Sequence, residues 1–219
     1  FQSSKHLSSG EGGMLCLNST EIANKVRRIQ SLGYKGLSAE QGKILKSDIQ
    51  NPEYERHESL GWNYRMSDIT AAVVLGQTER LDELIKVRMK SAHILAEAVA
   101  DYNWIKPQEI YDNSTHSYWA FPVTIERKDV SWGDFSNKFR EFGGKGIYAA
   151  WKLNYKEPMF QNLNLLGREH FISAENRLKY LQDLCPNAEN LQPKILAFRT
   201  NEWHDKAARS QQKSLIETL

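Results

Sequence analysis

The sequence predicts an α/β fold from three observations. Strand-like and helical periods alternate through the second half, a long helix with one apolar stripe precedes them, and glycines mark the changes of period. With 219 residues, 40% of them hydrophobic and 26% charged, the chain holds material for one large or two small domains. The change of texture near Pro107 divides it into 1–100, ending with the long helix, and 101–219, a small α/β domain.

Element by element, the stretch FQSSKHLSSGEGGMLCL, residues 1–17, comes first. Met14 to Leu17 reads as strand-like, and Gly10, Gly12 and Gly13 permit a tight turn or a close approach of backbones. Lys5, between Phe1 and that apolar run, is expected to be partly desolvated, which disfavours the charged amine and frees it as a nucleophile toward a carbonyl. A solvated surface lysine is the ordinary alternative. In NSTEIANKVRRIQSLG, Ser19 or Thr20 caps a helix that buries Ile22, Val26 and Ile29 and ends at Gly33. Residues 34–60 are polar and aperiodic and predict a long loop with a solvated surface, part of which orders over a substrate.

Ser67 caps the next helix, in which Leu81, Leu84, Ile85, Ala92, Leu95 and Val99 share a face, as one helix or two joined near Gly76. Beyond Pro107, HSYWAFPVTIE reads as a strand, WGDFSNKFREFGG as a helix stopped by Gly143 and Gly144, and KGIYAAW as a second strand. Tyr148, Trp151 and Tyr155 read as mostly core. A helix around Ala174 to Leu184, a strand around Ile195 to Phe198 and a last helix from about Asp205 follow.

Several function classes are unsupported by this composition. A net charge of +2 suggests no nucleic-acid surface, and no apolar run has the length of a membrane span. Cys16 and Cys185 are far apart and the six histidines lack zinc-ligand spacing, so a reduced, cytoplasmic chain without a bound metal is expected. The opening residues carry no basic signal region and read as a fragment boundary.

Phe1, Lys5 and Gly10-Glu11-Gly12-Gly13, then Gly61, Asn63, Tyr64, Arg65 and Met66, then Ala71, Ala72, Gln77 and Leu81 form an ordered set. That set resembles the DegT/DnrJ/EryC1/StrS aminotransferases, and HSYWAFPV and CPNAENLQP are similar to the family's small domain. The resemblance implies the C-terminal half of a fold-type I enzyme, the end of its large cofactor domain and a small domain joined by a long helix. It implies pyridoxal 5'-phosphate as cofactor, held as an internal aldimine on Lys5, the catalytic residue. Asn63 would reach the phosphate across a homodimer interface, making a composite site, and Arg65 is the second phosphate-binding candidate, although each residue has an ordinary reading as a turn or ion-pair member.

Glutamate or glutamine is the implied donor and a keto-sugar, nucleotide-linked, the acceptor. The GIYAAW segment also resembles members that aminate keto-inositols, and a non-catalytic relative that binds cofactor or only dimerises is a third reading. A related branch that dehydrates GDP-4-keto-6-deoxymannose has His at the aldimine position, so Lys5 favours transamination. His116 and Tyr148 are candidate substrate contacts, and Glu11 is assigned to the turn, where a carboxylate can satisfy backbone donors. The ring-pairing Asp, the stacking aromatic and part of the phosphate cup do not occur in these residues, so the fragment alone is expected to be inactive.

Overall fold

The helices of the first part of the chain begin where side chains replace missing backbone partners. Ser19 accepts a hydrogen bond from the Ile22 amide at the start of α1 (Thr20–Gln30), and Ser67 does the same for Thr70 at the start of α3 (Asp68–Thr78). In the computed structural model, which describes residues 1–38, 40–162 and 184–219, the chain divides into two compact units, Phe1–Leu81 and Asp82–Leu219.

In the first unit the apolar stripe of α1 stays partly exposed: Ile22 and Ile29 are 49% and 42% exposed. The expected strand at Met14 to Leu17 does not form a ladder. A strand exists by pairing, and no described residue pairs with this run, whose Met14 and Leu15 are exposed.

The 34–60 excursion is more organised than its polar sequence suggests. It contains the single turn α2 (Lys46–Gln50) and returns to its own start, where Tyr34 bridges His57 and the Lys35 amide donates to the Arg56 carbonyl. Ion pairs Lys35–Glu55 and Arg28–Glu58 and a bond from the Tyr54 hydroxyl to the Lys35 carbonyl add to this. Backbone pairing of this kind needs no side-chain period, so periodicity could not reveal it.

Gly33 and Gly61 sit where two backbones touch. A Cβ on Gly61 would lie 2.2 Å from the Gly33 nitrogen, and one on Gly33, whose φ is +72°, 1.8 Å from the Ser59 carbonyl oxygen. Around this crossing the Leu32 amide donates to Trp62, Trp62 to Ile29, and Tyr64 to Gln30. The strip from Trp62 to Tyr64 is thereby fixed against the end of α1.

The break between the two long helices falls at Glu79–Arg80 rather than near Gly76, which lies inside α3 with open space around it. A helical glycine costs about 1 kcal/mol relative to alanine and does not by itself interrupt the ladder.

The second unit begins at the second residue of α4 (Leu81–Val99), followed by β1 (Ile105–Pro107), β2 (Ala120–Ile125), α5 (Trp132–Glu141) and β3 (Tyr148–Ala149). After α6 (Pro158–Asn162) come α7 (Pro186–Leu191), β4 (Ile195–Arg199) and α8 (Asp205–Thr218). The expected helix at Ala174 to Leu184 lies outside the described residues except for its last position.

The four strands form one antiparallel sheet in the order β1-β2-β4-β3. Phe121 pairs with Phe198 and Val123 with Leu196, so these side chains share a face. They bury against Ala92, Leu95 and Val99 of α4, Phe135 and Phe139 of α5 and Leu215 of α8. Ser131 caps α5, and Gly143, at φ +85°, turns the chain away after it.

The boundary expected at 100/101 therefore moves to 81/82. The α4 stripe packs into the sheet's core and its residues belong with the second unit. Among the described residues no helix is long and apolar enough to cross a membrane.

Candidate active site

The loop carrying Lys5 is closed by backbone groups. The Phe1 backbone nitrogen donates to the Gly12 carbonyl at 2.7 Å, the Ser9 amide to the Phe1 carbonyl and the Lys5 amide to the Gln2 carbonyl. Gly12 has φ +144°, which favours glycine, and a Cβ there would meet the Met66 methyl at 2.9 Å and the Phe1 ring at 3.5 Å. Those contacts set the Lys5 loop against Met66, one residue before the cap of α3.

Lys5 itself is exposed, so the desolvation expected from its neighbours is not present among the described residues. Phe1 is spent on Gly12, and Met14 and Leu15 turn to solvent. Glu11 is exposed too, and its carboxylate takes no backbone donor among the described residues. The turn is held by the Phe1 backbone nitrogen and the Ser9 hydroxyl, which donates to the Glu11 carbonyl.

Asn63 and Arg65 are brought together. Arg65 Nε donates to Asn63 Oδ1 at 2.9 Å, and Asn63 is also bridged to Ser31. Both side chains are exposed. This bond occupies one lone pair of the amide oxygen, and the Asn63 N–H groups and the outer Arg65 guanidinium nitrogens are further donors, Arg65 lying two residues from the capped N-terminus of α3. Donors gathered beside the positive end of a helix suit an anion such as a phosphate.

Arg65 also lines an open cleft of about 850 Å³ within the first unit, together with Gly13, Met14, Ile29, Tyr64 and Thr70. Lys5 and Asn63 are not among its lining residues.

In the second unit His116 and Tyr148 occupy the end of the sheet where β2 begins. His116 Nδ1 accepts from the Tyr118 amide at 2.9 Å, its ring packs on Tyr118 at 4.1 Å between centroids, and Nε2 lies 3.3 Å from Gln108 Oε1. Tyr148 is 43% exposed and stacks on Trp119 at 5.9 Å. The aromatic cluster expected to be mostly core is not: Trp151 is 85% exposed. It lies two residues past the end of β3, where the sheet's alternation no longer directs side chains inward.

Trp119 was not singled out by the sequence, nor was Thr200, whose fully buried hydroxyl donates to the Tyr118 carbonyl at 2.6 Å and the Trp119 carbonyl at 3.2 Å. An exposed aromatic beginning an alternating strand was the available signal.

The profile of the DegT/DnrJ/EryC1/StrS aminotransferase family matches residues 1–193, and the chain belongs to that family. GDP-perosamine synthase of Vibrio cholerae is 28% identical over 131 residues, 58% of this chain and 30% of that protein. The putative L-glutamine:3-amino-2,3-dideoxy-scyllo-inosose aminotransferase of Micromonospora echinospora is 30% identical over 109 residues, 49% of this chain and 22% of the relative.

Among solved structures, the sugar aminotransferase CalS13 of Micromonospora echinospora superposes with a TM-score of 0.72 at 17% identity, over 97% of this chain and 49% of its own. An E. coli GDP-4-keto-6-deoxy-D-mannose-3-dehydratase with bound hydrated PLP gives 0.67 at 21% identity, over 97% and 52%. These likenesses establish the fold, the α/β architecture of the fold-type I enzymes. The chain spans about half the length of these solved structures.

Proposed function

We propose that the whole protein carrying this chain is a cytoplasmic, homodimeric, pyridoxal-phosphate-dependent aminotransferase. It moves an amino group from glutamate or glutamine to a nucleotide-linked keto-sugar. The observation that carries this reading is the family match across residues 1–193, which includes Lys5 and the bonded pair Asn63–Arg65.

When bound, pyridoxal phosphate supplies the electron sink that lets an amino group pass between carbons. In this reading Lys5 Nζ would hold the cofactor, and the same amine would serve as the group that takes and returns a proton at the reacting carbon. Its exposure suits a group that has to swing between those jobs. Asn63 and Arg65 supply donors to the phosphate, Asn63 toward the cofactor of the second copy. His116 and Tyr148 contact the substrate from the second unit.

The test is borohydride reduction of the protein with added pyridoxal phosphate, followed by peptide mapping. A reduced cofactor on Lys5, absent from Lys5→Arg, is the expected result. A tag on another lysine, or one that survives Lys5→Arg, would overturn the assignment.

A second reading, amination of a keto-inositol, is favoured by the relative from Micromonospora echinospora and by an L-glutamine:2-deoxy-scyllo-inosose aminotransferase of Streptoalloteichus tenebrarius that is 29% identical over 128 residues. Amination of 2-deoxy-scyllo-inosose, with no turnover of nucleotide-linked keto-sugars, would select it.

A further inference from the structure

One turn of the second unit is held in an unfavourable conformation by three separate side chains. Tyr118 has φ +47°, a region costly for a bulky L-residue. His116 takes its amide, Thr200 its carbonyl, and Arg88 Nη1 donates to the Trp119 carbonyl at 3.2 Å. The result is that Tyr118 goes into the core while Trp119, the next residue, stays 40% exposed and stacks on Tyr148 with an interplanar angle of 27°.

The register extends this pair into a surface. Ala120 lies opposite Arg199, Pro122 opposite Ala197, and Ala197 opposite Tyr148, so these residues share the sheet face turned away from Phe121, Val123, Leu196 and Phe198. Half-buried Pro122 and Ala197 form the floor of that face, with Ala120 buried, an aromatic column at one side and a cation at the end. Arg199 is exposed and has no carboxylate partner among the described residues, whereas Arg127, Arg209 and Lys194 each have one.

A flat floor, a π-column and an uncompensated guanidinium match a planar ring joined to a diphosphate. We propose that this face binds a nucleoside diphosphate, the group that a nucleotide-linked sugar carries, its base extending the Trp119–Tyr148 column and its diphosphate meeting Arg199. The assignment rests on the sugar-nucleotide reading above and adds to it where the nucleotide is held. Thr200 and Arg88 act as positioning residues that keep Trp119 turned outward.

The experiment is titration of the protein with GDP, and separately with inorganic diphosphate, in the absence of pyridoxal phosphate. Trp119→Ala and Tyr148→Ala should each weaken GDP about tenfold, the scale of one base–aromatic stack, and leave inorganic diphosphate unchanged. Arg199→Gln should weaken both, and Trp119→Phe, which keeps a ring, should restore most of the GDP affinity. GDP binding that is absent, or indifferent to Trp119 and Tyr148, overturns the proposal. So does a loss that inorganic diphosphate shares in Trp119→Ala, which would signal a general disturbance of the fold.

The Lys5 tag separates this from failure of the enzyme reading. GDP held through Trp119 without a Lys5 tag refutes the aminotransferase and leaves the shelf standing. A Lys5 tag with GDP binding indifferent to Trp119 refutes the shelf alone.

Discussion

Phe198→Ala tests how the second unit is held together. Phe198 is 1% exposed at the centre of the sheet, and its ring lies 5.5 Å from Phe139, 6.2 Å from Phe135 and 6.3 Å from Phe121 between centroids. Truncation removes about 1.5–3 kcal/mol of side-chain burial. It also leaves a cavity bounded by a strand and α5 that cannot close freely, which brings the expected loss to about 3–5 kcal/mol. With a urea slope of about 2 kcal/mol per molar, a loss of about 4 kcal/mol lowers the unfolding midpoint of this unit by about 2 M. The assay is urea unfolding followed by far-UV circular dichroism and tryptophan fluorescence, with Tyr111→Ala as control. Tyr111 is 77% exposed, and its truncation should change stability by no more than about 0.5 kcal/mol. A Phe198→Ala loss below about 1 kcal/mol, or equal shifts in the two variants, would refute the assignment of this residue to the centre of the core.

Ser67→Ala removes the acceptor of the Thr70 amide and should cost about 1 kcal/mol of α3 stability, read as faster hydrogen exchange at Thr70, with Ser67→Asp restoring protection. The Arg209 guanidinium, and after it the Gln212 amide, hold the Glu97 carboxyl below its ordinary pKa. That contribution is present above the unfolded carboxyl value and is lost as pH falls through the lowered folded one. Glu97→Gln should therefore be slightly less stable near neutrality, the gap closing below about pH 4, and a gap that widens in acid would contradict the pairing. Tyr155 is pushed up to about 12, first by desolvation and then by its bond to Glu189. Its contribution is present below the ordinary value of about 10 and fades as pH rises through the folded value. Phenolate absorbance should show a late-ionising group that Tyr155→Phe removes, and an unchanged titration curve would count against the contact.

What could be read in advance follows the range of the interactions. Ser67 caps the helix assigned to it, and of the pair Ser19 and Thr20 it is Ser19 that caps α1, because a cap is decided within four residues. The α4 stripe and the alternation in β2 and β4 were equally visible, since a single buried face imposes them. Contacts between distant segments were not. Nothing local in 34–60 announces that Tyr34 will bridge His57, and nothing near Met14 says whether a partner strand exists. Lys5, Asn63 and Arg65 were found by the order of motifs, and the bond from Arg65 to Asn63 is a fact of geometry that no spacing contained. Trp119 was hidden for a different reason: its outward turn depends on the left-handed Tyr118 and on Thr200, eighty-one positions further along the chain.

The touching backbones at Gly33 and Gly61 have a bearing on how this chain can change over time. The excursion leaves and returns at one point, so it behaves as a closed annex whose anchorage is independent of its interior. Lengthening a flexible connection twofold raises its closure cost by only about 0.6 kcal/mol. Segments between Gly36 and Tyr54 can accordingly be exchanged, extended or trimmed while Asn63 keeps its bridge to Ser31. The two glycines are the opposite case: neither can acquire a side chain unless the other backbone withdraws, which would carry the donor pair with it. Variation is thus channelled into the annex, while the bonded pair Asn63–Arg65 stays in register.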